Sequence, residues 1–79
     1  MTEVEPVPLG LSERQAAVLD SLMTTGCVNE SAAELGMRRE ALGMHLVRAC
    51  RKVGVRNRTL LLLRWADERR AGDALREVL

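Results

Sequence analysis

Apolar residues return along this chain at intervals of three and four, in four blocks separated by glycines and polar turns. That period is helical, and no stretch alternates in the manner of a half-buried strand. The first helix opens at "SERQ", where the Ser12 hydroxyl and the Gln15 side chain can satisfy orphan amides reciprocally. Ala16, Leu19, Leu22 and Met23 follow at helical spacing with Val18 beside them, and Gly26 is placed to stop the helix in a left-handed conformation. The second helix is short, with Asn29 as its expected cap and Ala32, Ala33 and Leu35 as its apolar side. Gly36 permits a tight turn, and Met37 is expected to be the buried residue of that turn.

The third helix is predicted from about 38 to 53. On a helical wheel Leu42, Leu46, Ala49 and Val53 share one side, flanked by His45 and Cys50. The opposite side presents Glu40, Met44, Val47, Arg48 and Arg51, with Ala41, Gly43 and Lys52 near its margins. Gly54 ends the helix, and Arg51 and Lys52 suit the negative end of its dipole. Asn57 can cap a fourth helix containing "RTLLLLRWADERRA". The leucines at 60–63 cover more than one helix face, so some of them, with Trp65, are expected to meet a second surface. Gly72-Asp73 is expected to break or kink the chain, leaving "DALREVL" as a short further helix. The opening "MTEVEPVPLG" reads as an extended, flexible arm. The expectation is thus an all-α, four-helix fold, with an arm at 1–10, the domain at 11–72 and a helical extension at 73–79.

Composition adds that the core is aliphatic, because the chain has one tryptophan and neither tyrosine nor phenylalanine. Seventy-nine residues make one small domain, of a size that often gains stability by pairing with a second copy. Charge changes the picture more. The net charge of +1 conceals −5 over residues 1–37, +6 over 38–58 and zero over 59–79. A basic block beside an acidic one is the electrostatic footprint of a nucleic-acid module with a limited contact face. The alternative is a solvated face neutralised by internal ion pairs.

Cys27 and Cys50 form no CxxC or zinc-like spacing. One histidine and two scattered cysteines do not make four metal ligands. Cys50 follows His45 by five residues, about 140° around a helix, which aims a thiolate–imidazole pair badly. No cofactor, metal site or catalytic constellation is expected, and the chain is not read as an enzyme. No signal-peptide pattern is seen, and the leucine run is too short to span a bilayer, so the cytoplasm (beside the nucleoid) is the expected location and no membrane partner is expected.

A short alanine-bearing helix, a glycine turn and a basic helix make the helix-turn-helix pattern. Longer stretches go further. "LSERQAAVL", "ESAAELGM" and "RKVGVRNRT", with His45 ahead of the last, resemble the LuxR/GerE-type helix-turn-helix domains of bacterial transcription factors, without gaps from about residue 11 to 62. "LSERQAAVL" is similar to the family's L-[TS]-x-R-E-x-E-V-L, "ESAAELGM" to E-I-A-x-x-L-x-I, and the segment from His45 follows H-x-x-x-I-x-x-K-L-G-V-x-N-R-T. The resemblance implies a stand-alone bacterial or phage transcription regulator of the GerE kind, without a receiver or ligand-binding domain. It would bind double-stranded DNA as a homodimer, with the third helix in the major groove and the fourth supplying the dimer contact.

Under that reading Arg38, Arg39, Arg48, Arg51, Lys52 and Arg56 are the expected DNA contacts, with His45 packing under the helix and reaching a phosphate, and Met44 facing the bases. Arg58 is either a further phosphate contact or a structural tie between the third and fourth helices. Leu60, Leu63 and Trp65 are the expected dimer interface, though Trp65 can equally plug a monomeric core. The departures from the family pattern fall where reading would occur. Arg38 stands where a capping Ser or Thr is usual, and T-V-K is replaced by Ala41-Leu42-Gly43. Arg38 or Arg39 can take over guanine reading from the lost lysine, and Met44 and Val47 can meet thymine methyls or a protein partner. The competing function is therefore a helix-turn-helix-derived interaction module that binds RNA polymerase or another regulator without base readout.

Overall fold

A computed structural model describes residues 7–78, with side chains as far as residue 71. A 3-10 turn at Pro8–Gly10 leads into α1 (Glu13–Thr25), α2 (Val28–Glu34), α3 (Arg39–Val53) and α4 (Arg58–Val78). The protein is all-α, a small four-helix bundle, with no strand among the described residues. No helix among them is long and apolar enough to cross a membrane.

The capping box of α1 forms as its sequence dictates. The Gln15 amide donates to Ser12 Oγ at 3.1 Å, and the Ser12 amide donates to Gln15 Oε1 at 2.9 Å. Gly26, at φ 68°, closes the helix by donating its N–H to the Leu22 carbonyl. The buried stripe of α1 includes Ala16, Val18, Leu19 and Leu22 but not Met23, which is 47% exposed. Met23 lies beyond the side of the last turn that faces the other helices.

The second helix corrects its expected start. Its N-cap is Cys27, with no side-chain cap, so Asn29 lies inside the first turn and is exposed. Thr25 does the tying instead: its hydroxyl accepts from the Cys27 amide at 3.2 Å and pairs with the Ser31 hydroxyl at 2.7 Å. Ser31 and Ala32 are the buried pair, small enough for α1 and α2 to approach closely, while Ala33 faces outward. Ser21 adds a cross-helix bond, donating to Glu34 Oε2 at 3.2 Å. Gly36 turns the chain at φ 66°, and half-buried Met37 donates its amide to the Ala32 carbonyl at 2.9 Å.

Leu42, Leu46 and Ala49 carry α3 into the core, with Val53 partly buried. Asn57 caps α4 by accepting from the Leu60 amide at 2.9 Å. Of the four leucines Leu61 is wholly buried and Leu62 partly so, whereas Leu60 and Leu63 are exposed. Gly72-Asp73 neither breaks nor kinks the chain into a separate helix, since α4 runs through it to Val78. A glycine within a helix costs about 1 kcal/mol relative to alanine, a penalty that a long helix already nucleated on the core can absorb. The expected extension at 73–79 is thus, as far as Val78, the end of α4. The expected arm is also partly folded: Val7 and Leu9 pack on the core, and Leu9 takes a left-handed φ of 63° there. Residues 1–6 of that arm lie outside the described residues.

Trp65 is 0% exposed, a core residue of this chain. It therefore cannot present its ring to a second copy, and its expected place in a dimer interface is withdrawn. Its indole N–H donates to Asp20 Oδ1 at 2.7 Å, so the one polar atom of the ring is satisfied at the edge of the core. Arg69, one turn further along α4, donates Nε to the same oxygen at 3.1 Å and a second N–H to Oδ2. Its guanidinium also lies over the Trp65 ring, 4.7 Å from the centroid. These contacts lock α4 against α1. With every buried side-chain nitrogen and oxygen partnered among the described residues, the bundle offers a firm base for the free side of α3.

Candidate nucleic-acid interface

The outward side of α3 exists because Leu42, Leu46 and Ala49 take the inward one. Opposite them Glu40, Ala41, Met44, Val47, Arg48, Arg51 and Lys52 are all exposed. Met44 and Val47 are exposed by 50% and 45%, unusual for apolar side chains one turn apart. His45 is half-buried on the flank, between the two sides.

The front of the helix is uncapped. Arg38 has the extended backbone of an N-cap, φ −75° and ψ 150°, but makes no side-chain cap hydrogen bond. A guanidinium carries only donors, so it cannot receive the orphan amides. Glu40 in the first turn and Arg51 and Lys52 in the last favour the helix dipole instead. Gly43 weakens the same helix further. No atom lies within 4 Å of where its Cβ would sit, so Gly43→Ala is expected to raise stability by about 1 kcal/mol. Urea denaturation followed by circular dichroism checks this; a loss of stability would mean that the glycine makes room for something.

Arg38, Arg39, Arg48, Arg51, Lys52, Arg56 and Arg58 are exposed, and none forms an ion pair among the described residues. The only ion pair described joins Arg69 to Asp20, away from this block. Among the described residues, then, the basic segment is not neutralised internally. Nor do Arg56 and Arg58 tie α3 to α4, since neither makes a side-chain hydrogen bond among the described residues. Arg58 starts α4 at its positive end, where a cation is unfavourable for the helix itself.

The cations divide into two ends. Arg51, Arg56 and Arg58 surround a groove of about 350 Å³, floored by Leu46, Val47, Cys50 and Val55, with Asn57 on its wall and no acid in its lining. Burial raises the Cys50 thiol above its ordinary pKa, which disfavours the thiolate. Both cysteines are free. Arg38 and Arg39 lie at the other end of α3, about 18 Å along the axis from Arg51. Arg39 precedes Met44 by five residues and so projects about 140° away from it around the helix. Gly43 follows Arg39 by four residues, about 40° around the helix, so Arg39 stands beside the gap that Gly43 leaves.

No family model, curated protein or solved structure matches this chain. Among the described residues no three His, Cys, Asp or Glu side chains gather as metal ligands. Ala41 is exposed at the margin of the outward side of α3, where its spacing places it. Sequence reading missed Asp20 as the partner of Trp65 and Arg69, because no local pattern links residues 45 and 49 positions apart.

Proposed function

We propose that this protein binds double-stranded DNA as a homodimer and regulates transcription, with α3 entering the major groove. The observation that carries the reading is the row of exposed cations, without ion pairs among the described residues, on and beside the free side of α3. Desolvated or internally paired arginines would have argued against it; exposed ones are available for phosphates. Side chains included, a helix is about 10–12 Å across, matching a major groove about 12 Å wide. Arg48, Arg51, Lys52 and Arg56 then meet the phosphate backbone, with Arg38 at the far end of the helix. The resemblance to LuxR/GerE-type domains argues in the same direction.

The test is binding of the intact chain to random duplex DNA over a salt series. Counterion release gives a fall in log K against log salt with a slope of about −0.9 per phosphate contact. A folded protein that binds no duplex at low salt sinks the reading. The second reading, an interaction module for RNA polymerase or another regulator, is favoured by one feature, the exposed Met44 and Val47.

For the dimer, Leu60 and Leu63 on α4 are the candidate contact, at 37% and 59% exposed. Leu63→Glu is expected to lower the mass measured by sedimentation to that of a monomer while leaving the fold intact. An unchanged dimer mass would move the contact elsewhere.

A further inference from the structure

The half of a groove-docked helix nearest its N-terminus meets base edges, while later turns reach the backbone. Beyond Arg38, Arg39 and Glu40 around its first turn, that half of α3 presents little that can hydrogen-bond a base. Arg39 projects away from Met44, Gly43 has no side chain, and His45 is half-buried. What it does present is a strip of Ala41, Met44 and Val47, all exposed and spaced by three residues. Residues three apart are neighbours on a helix surface, so the three form one continuous apolar line. The line is about 9 Å long, which spans roughly three base pairs at 3.4 Å each.

Only one base-edge feature in the major groove is apolar, the 5-methyl group of thymine. Resting on the proposed DNA binding, we infer that Ala41, Met44 and Val47 select duplex sites by their thymine methyl groups. The charge around the strip decides between this occupant and a protein partner. Arg48, Arg51 and Lys52 follow the strip within the next turns and carry no acid partner among the described residues. A polyanion with apolar groups in its groove satisfies both features together. Glu40, beside the strip, stays off the phosphates and serves the first turn of the helix.

The experiment recovers preferred duplexes from a randomised pool with the wild-type protein, then compares each with the same duplex made with deoxyuridine in place of thymine. This exchange removes the methyl and keeps every hydrogen-bonding group. Burial of one methyl-sized group is worth about fourfold in affinity, so each contacted thymine is expected to weaken binding about fourfold on exchange. Met44→Ser and Val47→Ser, at half-exposed positions that leave the core untouched, are each expected to narrow the gap between the two duplexes, with unchanged circular dichroism. Equal binding of the two duplexes by the wild type overturns the inference and leaves DNA binding standing. So does a pool that yields no thymine-containing preference. A methyl effect of undiminished size in both Met44→Ser and Val47→Ser also overturns it, since the effect then acts through DNA shape. Absence of binding to any duplex removes the DNA reading itself, and this inference with it.

Discussion

Trp65→Ala is expected to cost about 3–5 kcal/mol of folding stability, the range for emptying a fully buried aromatic site. Trp65 is 0% exposed and joins Leu61 and the α1 residues in one core. A domain of this size has roughly 4–12 kcal/mol of total stability, so the loss is a quarter of it or more. Trp65→Phe separates the two contributions of the side chain. It retains most of the apolar volume and loses the indole N–H that Asp20 accepts. Asp20 keeps Arg69, and its side chain is 46% exposed, so water replaces the lost donor at a cost of only about 1 kcal/mol. Circular dichroism in urea is the proper measurement, because Trp65 is the only tryptophan and its replacement removes the fluorescence signal. A small stability loss accompanied by a drop in oligomer mass would put the ring between subunits instead.

Arg48→Ala with Arg51→Ala is expected to produce the largest functional change. Both side chains are exposed, on the outward side of α3, and have no ion-pair partner among the described residues. Each phosphate contact contributes about 0.9 to the salt slope, or nearly tenfold in affinity near 0.1 M salt. A dimer losing four contacts then falls by roughly three to four orders of magnitude, and its slope flattens by about 3.6. Stability should stay within about 0.5 kcal/mol of the wild type, as for other exposed substitutions. An unchanged slope would mean that these arginines face away from the duplex. Arg58→Ala is the internal comparison: a flatter slope marks it as a phosphate contact, a stability loss without slope change as a structural residue.

Much of the fold was legible because its determinants are local. The Ser12–Gln15 capping box, the glycine stops at Gly26 and Gly54 and the Asn57 cap each act within four residues, and each forms where the sequence places it. The division of α3 into an inward Leu42–Leu46–Ala49 side and an outward charged side followed from helical spacing alone. Elements read wrongly were those in which the surroundings of a residue outweighed its own preference. Asn29 is a good cap residue, yet the Thr25–Ser31 pair starts α2 earlier. Gly72-Asp73 reads as a break, yet α4 continues through it. Met23 and Ala33 have the right spacing for burial, but the neighbouring helices cover other sides of α1 and α2.

By itself the sequence determined the four helices, the caps at Ser12, Gly26, Gly54 and Asn57 and the concentration of positive charge between Arg38 and Arg58, because hydrogen-bonding orphans, side-chain period and formal charge are properties of neighbouring residues. Only the tertiary structure decided the fate of Trp65, whose single polar atom reaches Asp20 across the bundle and thereby commits the ring to this chain's own core. It also decided that the basic segment makes no ion pair among the described residues: of the described acids before Arg38, Asp20 turns to α4 and Glu34 to Ser21. Charge can be counted along a chain. Whether it is neutralised depends on which helices pack together, and that is set by the core.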